Sequence, residues 1–152
     1  MYLYTVNSES PIGPLTAISS GEALNELRFG DCREGGDSCA VLEQTAAELG
    51  EYFAGTRREF TLPADGGGTP FQRAVWQALC AVPYGETASY ADIAARIGRK
   101  NASRAVGGAN NQNPLPIIVP CHRIVGKNGA LTGYAGGLEI KEFLLKLEQE
   151  NR

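Results

Sequence analysis

The chain is 152 residues long, 43% apolar, with a formal net charge of −3, which is enough for one good core or two small domains. It has no run of eighteen apolar residues, and Met1-Tyr2-Leu3-Tyr4-Thr5 lacks the basic stretch and apolar core of a signal peptide, so a cytoplasmic protein with no membrane partner is expected. The net charge argues against a polyanionic partner, but residues 1–65 carry eleven acids against four bases and residues 66–152 carry ten bases against six acids, so a polyanion would be attracted to the second part alone.

Alternating segments near 2–7, 15–19 and 24–29, separated by Pro-Ile-Gly-Pro and Ser-Gly-Glu turns, predict three strands. The polar, glycine-rich stretch from Gly30 to Ser38 reads as a loop. Ser38 is expected to cap a helix whose inward face is Val41, Leu42, Thr45, Leu49, Tyr52 and Phe53, ending at Gly55. A short strand near 59–62 is expected to close this part. The run Asp65-Gly-Gly-Gly-Thr69 reads as a linker. An α+β protein follows: a small N-terminal domain of antiparallel sheet plus helix over 1–65, then a mainly helical domain over 66–152 that is winged-helix or helix-turn-helix-like.

In the second part, Thr69-Pro70-Phe71-Gln72 is a strong helix start, with a capping threonine, proline at the first helical position and glutamine reaching back. Phe71, Val75, Trp76 and Leu79 form its buried face. Ser89 and Asp92 open a second helix with Tyr90, Ile93, Ala94 and Ile97 on one side, and Gly98 stops it. Asn101 is expected to cap a third, from Ala102 towards Asn111. Two short helices around a glycine-containing turn are a helix-turn-helix candidate, although structural helix pairs share the pattern. Ala102, Ser103, Ala105, Gly107, Gly108 and Ala109 are all small, with Arg104 among them. Such a helix suits close approach either to a ligand or to another helix.

The four cysteines, Cys32, Cys39, Cys80 and Cys121, form no CxxC pair, and there is one histidine. Neither a disulfide framework nor a metal is expected, so each thiol is either inert packing or a nucleophile. Residues 113–125 concentrate the second possibility. Pro114, Pro116 and Pro120 stiffen the backbone, Ile117-Ile118-Val119 looks buried, and Cys121 is followed by His122, the single histidine. Adjacency alone proves little, because neighbours in extended chain point opposite ways. A useful nucleophile also needs its pKa lowered by an imidazole, a helix N-terminus or a hydrogen-bonding partner.

Pro120-Cys121-His122-Arg123-Ile124-Val125 resembles the signature of the O6-alkylguanine-DNA alkyltransferases, the methylated-DNA–protein-cysteine methyltransferases. The match extends ungapped through Phe71-Gln72-x-x-Val75-Trp76, Tyr84-Gly85-Glu86, Ser89-Tyr90, Ser103 to Ala109, Asn113-Pro114, Gly133-Tyr134-Ala135-Gly136-Gly137 and Lys141-Glu142. It covers about residues 51 to 150 well, and the first fifty in pattern only. The resemblance implies that Cys121 accepts the alkyl group, that His122 takes the thiol proton through a bridging water, that Glu148 orients and charges that histidine, and that Asn113 braces the turn.

It further implies that Tyr90 assists guanine departure and that Tyr134, Ala135 and Ile124 line the substrate site, with Ala135 standing where some relatives carry serine. The extruded base would be replaced in the stack by Arg104. Ala102, Ser103, Ala105, Gly107 and Arg123 would contact duplex DNA containing O6-alkylguanine through its minor groove. The implied activity is DNA repair by direct reversal. It is a single-turnover transfer from O6-alkylguanine, and by extension O4-alkylthymine, to Cys121, because a thioether has no easy hydrolytic exit. No cofactor is needed, and a monomer is expected, with cooperative loading on DNA left open. Some relatives bind zinc in the N-terminal half; Cys32 and Cys39 have no nearby histidine, so none is expected here. Two rivals are a lesion binder without chemistry, which would lack the acceptor cysteine, and a thiol hydrolase or redox protein, which would leave the helix pair unexplained.

Overall fold

The computed structural model describes residues 2–6, 10–30, 37–134 and 136–152. Asn7 of the expected first strand, most of the expected 30–38 loop with Cys32, and Ala135 lie outside the described residues. Two compact units are present, 1–67 and 68–152.

In the first unit, β1 (Tyr2–Val6), β2 (Leu15–Ser19) and β3 (Leu24–Phe29) form an antiparallel meander in the order β1-β2-β3. The central strand β2 is buried on both faces. Its polar side chains are satisfied locally: Thr16 donates to the Gly30 carbonyl at 2.8 Å and Ser19 to that of Ala23 at 2.6 Å, as burial requires. Helix α1 (Ala40–Phe53) packs across the sheet. Its buried face is Val41, Leu42, Thr45, Glu48, Leu49 and Tyr52, with Phe53 half-buried at the end.

Three sequence expectations fail in this unit or at the next helix pair. The residue flanking α1 is Cys39, not Ser38: Cys39 is still extended and its carbonyl accepts from Glu43, leaving Ser38 one residue too early to reach the first turn. No strand forms at 59–62. The Glu48 carboxylate takes the Thr61 and Leu62 backbone N–H groups at 2.7 and 3.3 Å and the Thr61 hydroxyl at 2.9 Å, so these donors are engaged before any strand can use them. Pairing resumes only as a single parallel bridge, Leu24 with Ala64. Burial alone would raise the Glu48 pKa, but the bonds from Thr61, Gln44 and Leu62 together hold it below the ordinary carboxylate value.

The second unit opens on α2 (Pro70–Cys80), with the expected capping box between Thr69 and Gln72. A two-residue strand β4 (Ala88–Ser89) leads into α3 (Tyr90–Arg96), capped reciprocally by Ser89 and Asp92. Gly98, at φ +76°, turns the chain. Helix α4 (Ser103–Asn111) is flanked by Ala102 rather than Asn101, because a turn closed by Ala102 N–H on the Arg99 carbonyl carries Asn101 outward. Helices α3 and α4 are the helix-turn-helix pair, and α2 packs on both. The Trp76 indole donates to the Ala109 carbonyl at 2.8 Å, pinning α2 to α4. After the 113–125 segment come a two-residue strand β5 (Ile124–Val125), parallel to β4, and the last helix α5 (Leu138–Glu150). No described helix is long and apolar enough to cross a membrane.

Glu48→Ala is expected to lower unfolding free energy by about 3 kcal/mol at neutral pH, since buried backbone donors lose a charged acceptor. Its depressed pKa contributes stability above the unfolded value of 4.5 that is lost as pH falls through the folded one. The mutational deficit should therefore shrink on acidification, a trend that denaturant titrations at several pH values would reveal.

Candidate active site

The turn that carries Cys121 is built from the backbone outward. Asn113 is its brace. Its carbonyl oxygen accepts from Leu115 N–H at 3.0 Å, an Asx turn, and its amide donates to the Val119 carbonyl at 3.1 Å. The same carbonyl accepts Cys121 N–H at 2.7 Å across Pro120, whose φ −78° and ψ 63° are those of an inverse γ-turn. The pyrrolidine ring holds that φ. Ile117 sits at φ +73°, a rare conformation for a β-branched residue. Its side chain is buried, whereas Ile118 and Val119 are half-buried.

Cys121, His122 and Arg123 then form one 3₁₀ turn, closed by Arg123 N–H on the Pro120 carbonyl. Three residues per turn separate successive side chains by about 120°, so the opposition expected of an extended chain does not apply. Cys121 turns into the cluster of Val75, Trp76, Ala109 and Ile124. His122 turns to α5, where its Nε2 lies 2.7 Å from Glu148 Oε2.

Glu148 has no exposed surface. Besides His122 it accepts from Arg123 Nε at 2.8 Å and Nη2 at 3.0 Å, and from Gly85 N–H at 3.3 Å. Burial pushes its pKa up, yet the bonds and charges of His122 and Arg123 win and hold it at about 2. For His122 burial dominates: it lowers the pKa below 6.5 even though Glu148 favours the cation, so the ring is neutral at pH 7. A carboxylate only accepts, so the Nε2 faces it with a proton. The other nitrogen, Nδ1, is buried without a hydrogen-bond partner among the described residues.

The thiol departs from expectation. Cys121 is 4% exposed, and burial raises its pKa above 9.0. The Asn113 amide, its own backbone N–H, the Lys141 ammonium and the Tyr134 hydroxyl pull the other way without prevailing. The resting sulfur is protonated, and its proton must be removed as it reacts. Burial, then the neighbouring thiol, push the Tyr134 hydroxyl well above its ordinary value. Lys141, part of a matched segment but given no role from the sequence, is fully buried; burial lowers its pKa while Cys121 opposes the shift. Its ammonium donates to Thr132, whose Oγ1 is 2.6 Å from the Tyr90 hydroxyl. The spacing 141, 144, 148 on α5 is one helical face, and Lys141, Leu144 and Glu148 are its buried residues. That periodicity was the available signal.

Of the other expected contacts, Gly107, Ile124 and Arg123 fall elsewhere. Arg104 and Ala105 are exposed on α4, and Ala102 and Ser103 are half-exposed. Gly107 instead faces inward, where a Cβ would meet the Tyr90 ring at 3.5 Å. Ile124, expected at the substrate, has no exposed surface and belongs to the core through its pairing with Ala88. Arg123, expected at DNA, is 7% exposed. Its guanidinium is committed to Glu148 and, through Nη1 at 2.8 Å, to the Val82 carbonyl, with Tyr84 stacked 5.7 Å away. A basic residue in a basic segment looks like a surface contact until its buried partner, 25 residues later, is known. Among the described residues no group of three His, Cys, Asp or Glu side chains could hold a metal ion.

Arg123→Ala is expected to cost about 3 kcal/mol by leaving a buried carboxylate short of partners. Glu148 supplies stability above pH 4.5 that is lost as pH falls towards about 2. Acid unfolding of Arg123→Ala should therefore begin at higher pH than in the parent. The salt dependence of DNA binding should not change; a slope shallower by about one would mean that Arg123 is a phosphate contact after all.

Two family models match the chain: the DNA-binding domain of 6-O-methylguanine DNA methyltransferase over residues 70–150, and the ribonuclease-like domain of the same protein over residues 2–65. The constitutive methylated-DNA–protein-cysteine methyltransferase of Bacillus subtilis is 61% identical over 157 aligned positions, covering 96% of this chain and 95% of the relative. The methylated-DNA–protein-cysteine methyltransferase of Methanosarcina barkeri is 48% identical, covering 94% and 95%. A crystal structure of Mycobacterium tuberculosis OGT in complex with DNA superposes with a TM-score of 0.91 at 44% identity, covering 99% of this chain and 94% of that one. With both units matched in order and nearly the whole length aligned, the chain belongs to the methylated-DNA–protein-cysteine methyltransferase family.

Proposed function

We propose that this protein repairs alkylated DNA by direct reversal, moving the alkyl group from O6 of guanine to Sγ of Cys121, once per molecule. The observation that carries this reading is a thiol and an imidazole in one short turn, with Nε2 of His122 engaged by a buried carboxylate and Nδ1 without a partner among the described residues. Such a histidine is a base with one defined direction of action.

As Sγ attacks the alkyl carbon, its proton passes to His122 Nδ1 through a bridging water. The sulfur lone pair forms the S–C bond, the C–O bond breaks, and its electron pair stays with the guanine. Tyr90 donates a hydrogen bond to the departing base, and Tyr134 borders the sulfur. Glu148 holds the imidazole and stabilises the cation formed on it. The product is a thioether with no hydrolytic exit, so the protein is spent. No cofactor enters these steps, and O4-alkylthymine would react by the same geometry.

The base must leave the duplex to reach a sulfur so enclosed. Helix α4 offers small residues (Ala102, Ser103, Ala105) and the exposed Arg104, fitting a minor groove with the guanidinium filling the vacated stack. Arg96 at the end of α3, with Arg99 and Lys100 in the turn before α4, are exposed and add positive charge beside it. In this reading residues 68–152 bind DNA and accept the alkyl group, residues 1–67 are structural support, and the protein acts as a cytoplasmic monomer.

Incubation with duplex O6-methylguanine should add one methyl group to Cys121 by intact mass and peptide mapping, saturating at one equivalent; continued product release would point to a hydrolase. Cys121→Ala should abolish transfer while retaining DNA binding. Arg104→Ala should slow repair in duplex by about 10-fold or more, the scale of one lost 1.4 kcal/mol interaction. Reaction with free O6-benzylguanine should be spared; equal losses on both substrates would remove Arg104 from base extrusion.

A further inference from the structure

Tyr90 is held at both ends by residues that the reaction above does not use. Its ring lies on the Gly107 backbone of α4, where a Cβ would stand 3.5 Å from Cε1. Its hydroxyl is 2.6 Å from Thr132 Oγ1, in the segment between β5 and α5. Thr132 is itself fixed on both branches. Its methyl packs on Gly126, where a Cβ would come within 3.0 Å of Cγ2. Its Oγ1 and its carbonyl both accept from Lys141 Nζ, at 3.3 and 3.2 Å. A β-branched side chain with its methyl packed and its hydroxyl bonded has one usable χ1.

Proton counting alone leaves either hydroxyl free to donate in the Thr132–Tyr90 bond. The ammonium of Lys141 has donors only, so Thr132 Oγ1 accepts from it and keeps one proton and one lone pair. Were Tyr90 to donate to Thr132, its proton would be engaged there. Were Thr132 to donate to Tyr90, the tyrosine proton would be left for another acceptor. A hydroxyl that accepts from a cation becomes a stronger donor and a poorer acceptor, which favours the second arrangement. We propose that Thr132, polarised by Lys141, is a positioning residue that turns the Tyr90 proton outward to the departing base. This rests on the reading of Tyr90 as the donor in the transfer step.

The test is the single-turnover rate on duplex O6-methylguanine for Thr132→Val, Thr132→Ser, Tyr90→Phe and the Tyr90→Phe/Thr132→Val pair. Valine keeps the branched shape and the methyl against Gly126 and removes only the hydroxyl. It should slow transfer by about 10-fold, the scale of one assisted hydrogen bond, without changing DNA affinity. Serine, which restores the hydroxyl, should recover most of that rate. The double variant should be no slower than Tyr90→Phe alone, because the two residues act as one unit. Thr132 lies in a half-exposed loop, and Thr132→Ala gives the same readout if the valine variant folds poorly.

A parental rate for Thr132→Val, failure of serine to rescue, or multiplication of the two losses in the double variant would each overturn the positioning role while leaving Tyr90 as the donor. A parental rate for Tyr90→Phe would instead remove the donor role of Tyr90 and the role of Thr132 with it.

Discussion

The buried carboxylate of Glu148 is the constraint from which the rest of the site follows. A carboxylate without exposed surface costs several kcal/mol unless its oxygens are bonded, and here His122, Arg123 and Gly85 N–H converge on the two oxygens. Helix α5 is thereby tied to the active-site turn and to the turn after α2. Because the carboxylate only accepts, it also decides which imidazole nitrogen is protonated. Arg123 holds the negative charge in place while burial keeps His122 neutral. The base is therefore ready before substrate arrives, and the nucleophile is not.

That division resolves the tension between a reactive role and an enclosed sulfur. A permanently ionised thiolate would need a strongly polar pocket, whereas Cys121 packs beside Val75, Trp76 and Ile124. Burial keeps the proton on sulfur, and the neighbouring amide, ammonium and phenol reduce the cost of removing it when an electrophile is present. The backbone is held to match. The γ-turn at Pro120, the Asn113 brace on Val119, and the β4–β5 pairing, which brings the start of α3 beside residues 124–125, keep Tyr90 and Cys121 on one rigid frame. Ile117 at φ +73° stores about 1–3 kcal/mol of strain, retained by this dense bonding.

Much of this was legible from residue order, for identifiable reasons. Alternation located the strands because β2 and β3 pair with immediate neighbours, and the capping boxes at Thr69 and Ser89 located two helices because such caps are local chemistry. The expectations at Ser38 and Asn101 missed by one residue, since capping residue types abut the true boundaries without bonding to them. The 59–62 strand failed because its partner is a side chain, Glu48, rather than a strand. In the site, Cys121, His122, Asn113 and Glu148 carry a recognisable pattern and the structure brings them together. Arg123 and Ile124 did not behave as their types suggest, because burial and a long-range ion pair are tertiary facts. Lys141 and Thr132 were missed because a lysine reads as surface and a threonine beside glycine reads as loop.

Because His122 is the single histidine of the chain, the tautomer imposed by Glu148 can be observed directly. Nitrogen-15 NMR of histidine-labelled protein at pH 7 should show one neutral ring, protonated at Nε2 with that proton in a hydrogen bond, and an unprotonated Nδ1. An imidazolium at that pH, or a proton resident on Nδ1, would contradict the account, since the histidine could then not receive the proton of Cys121.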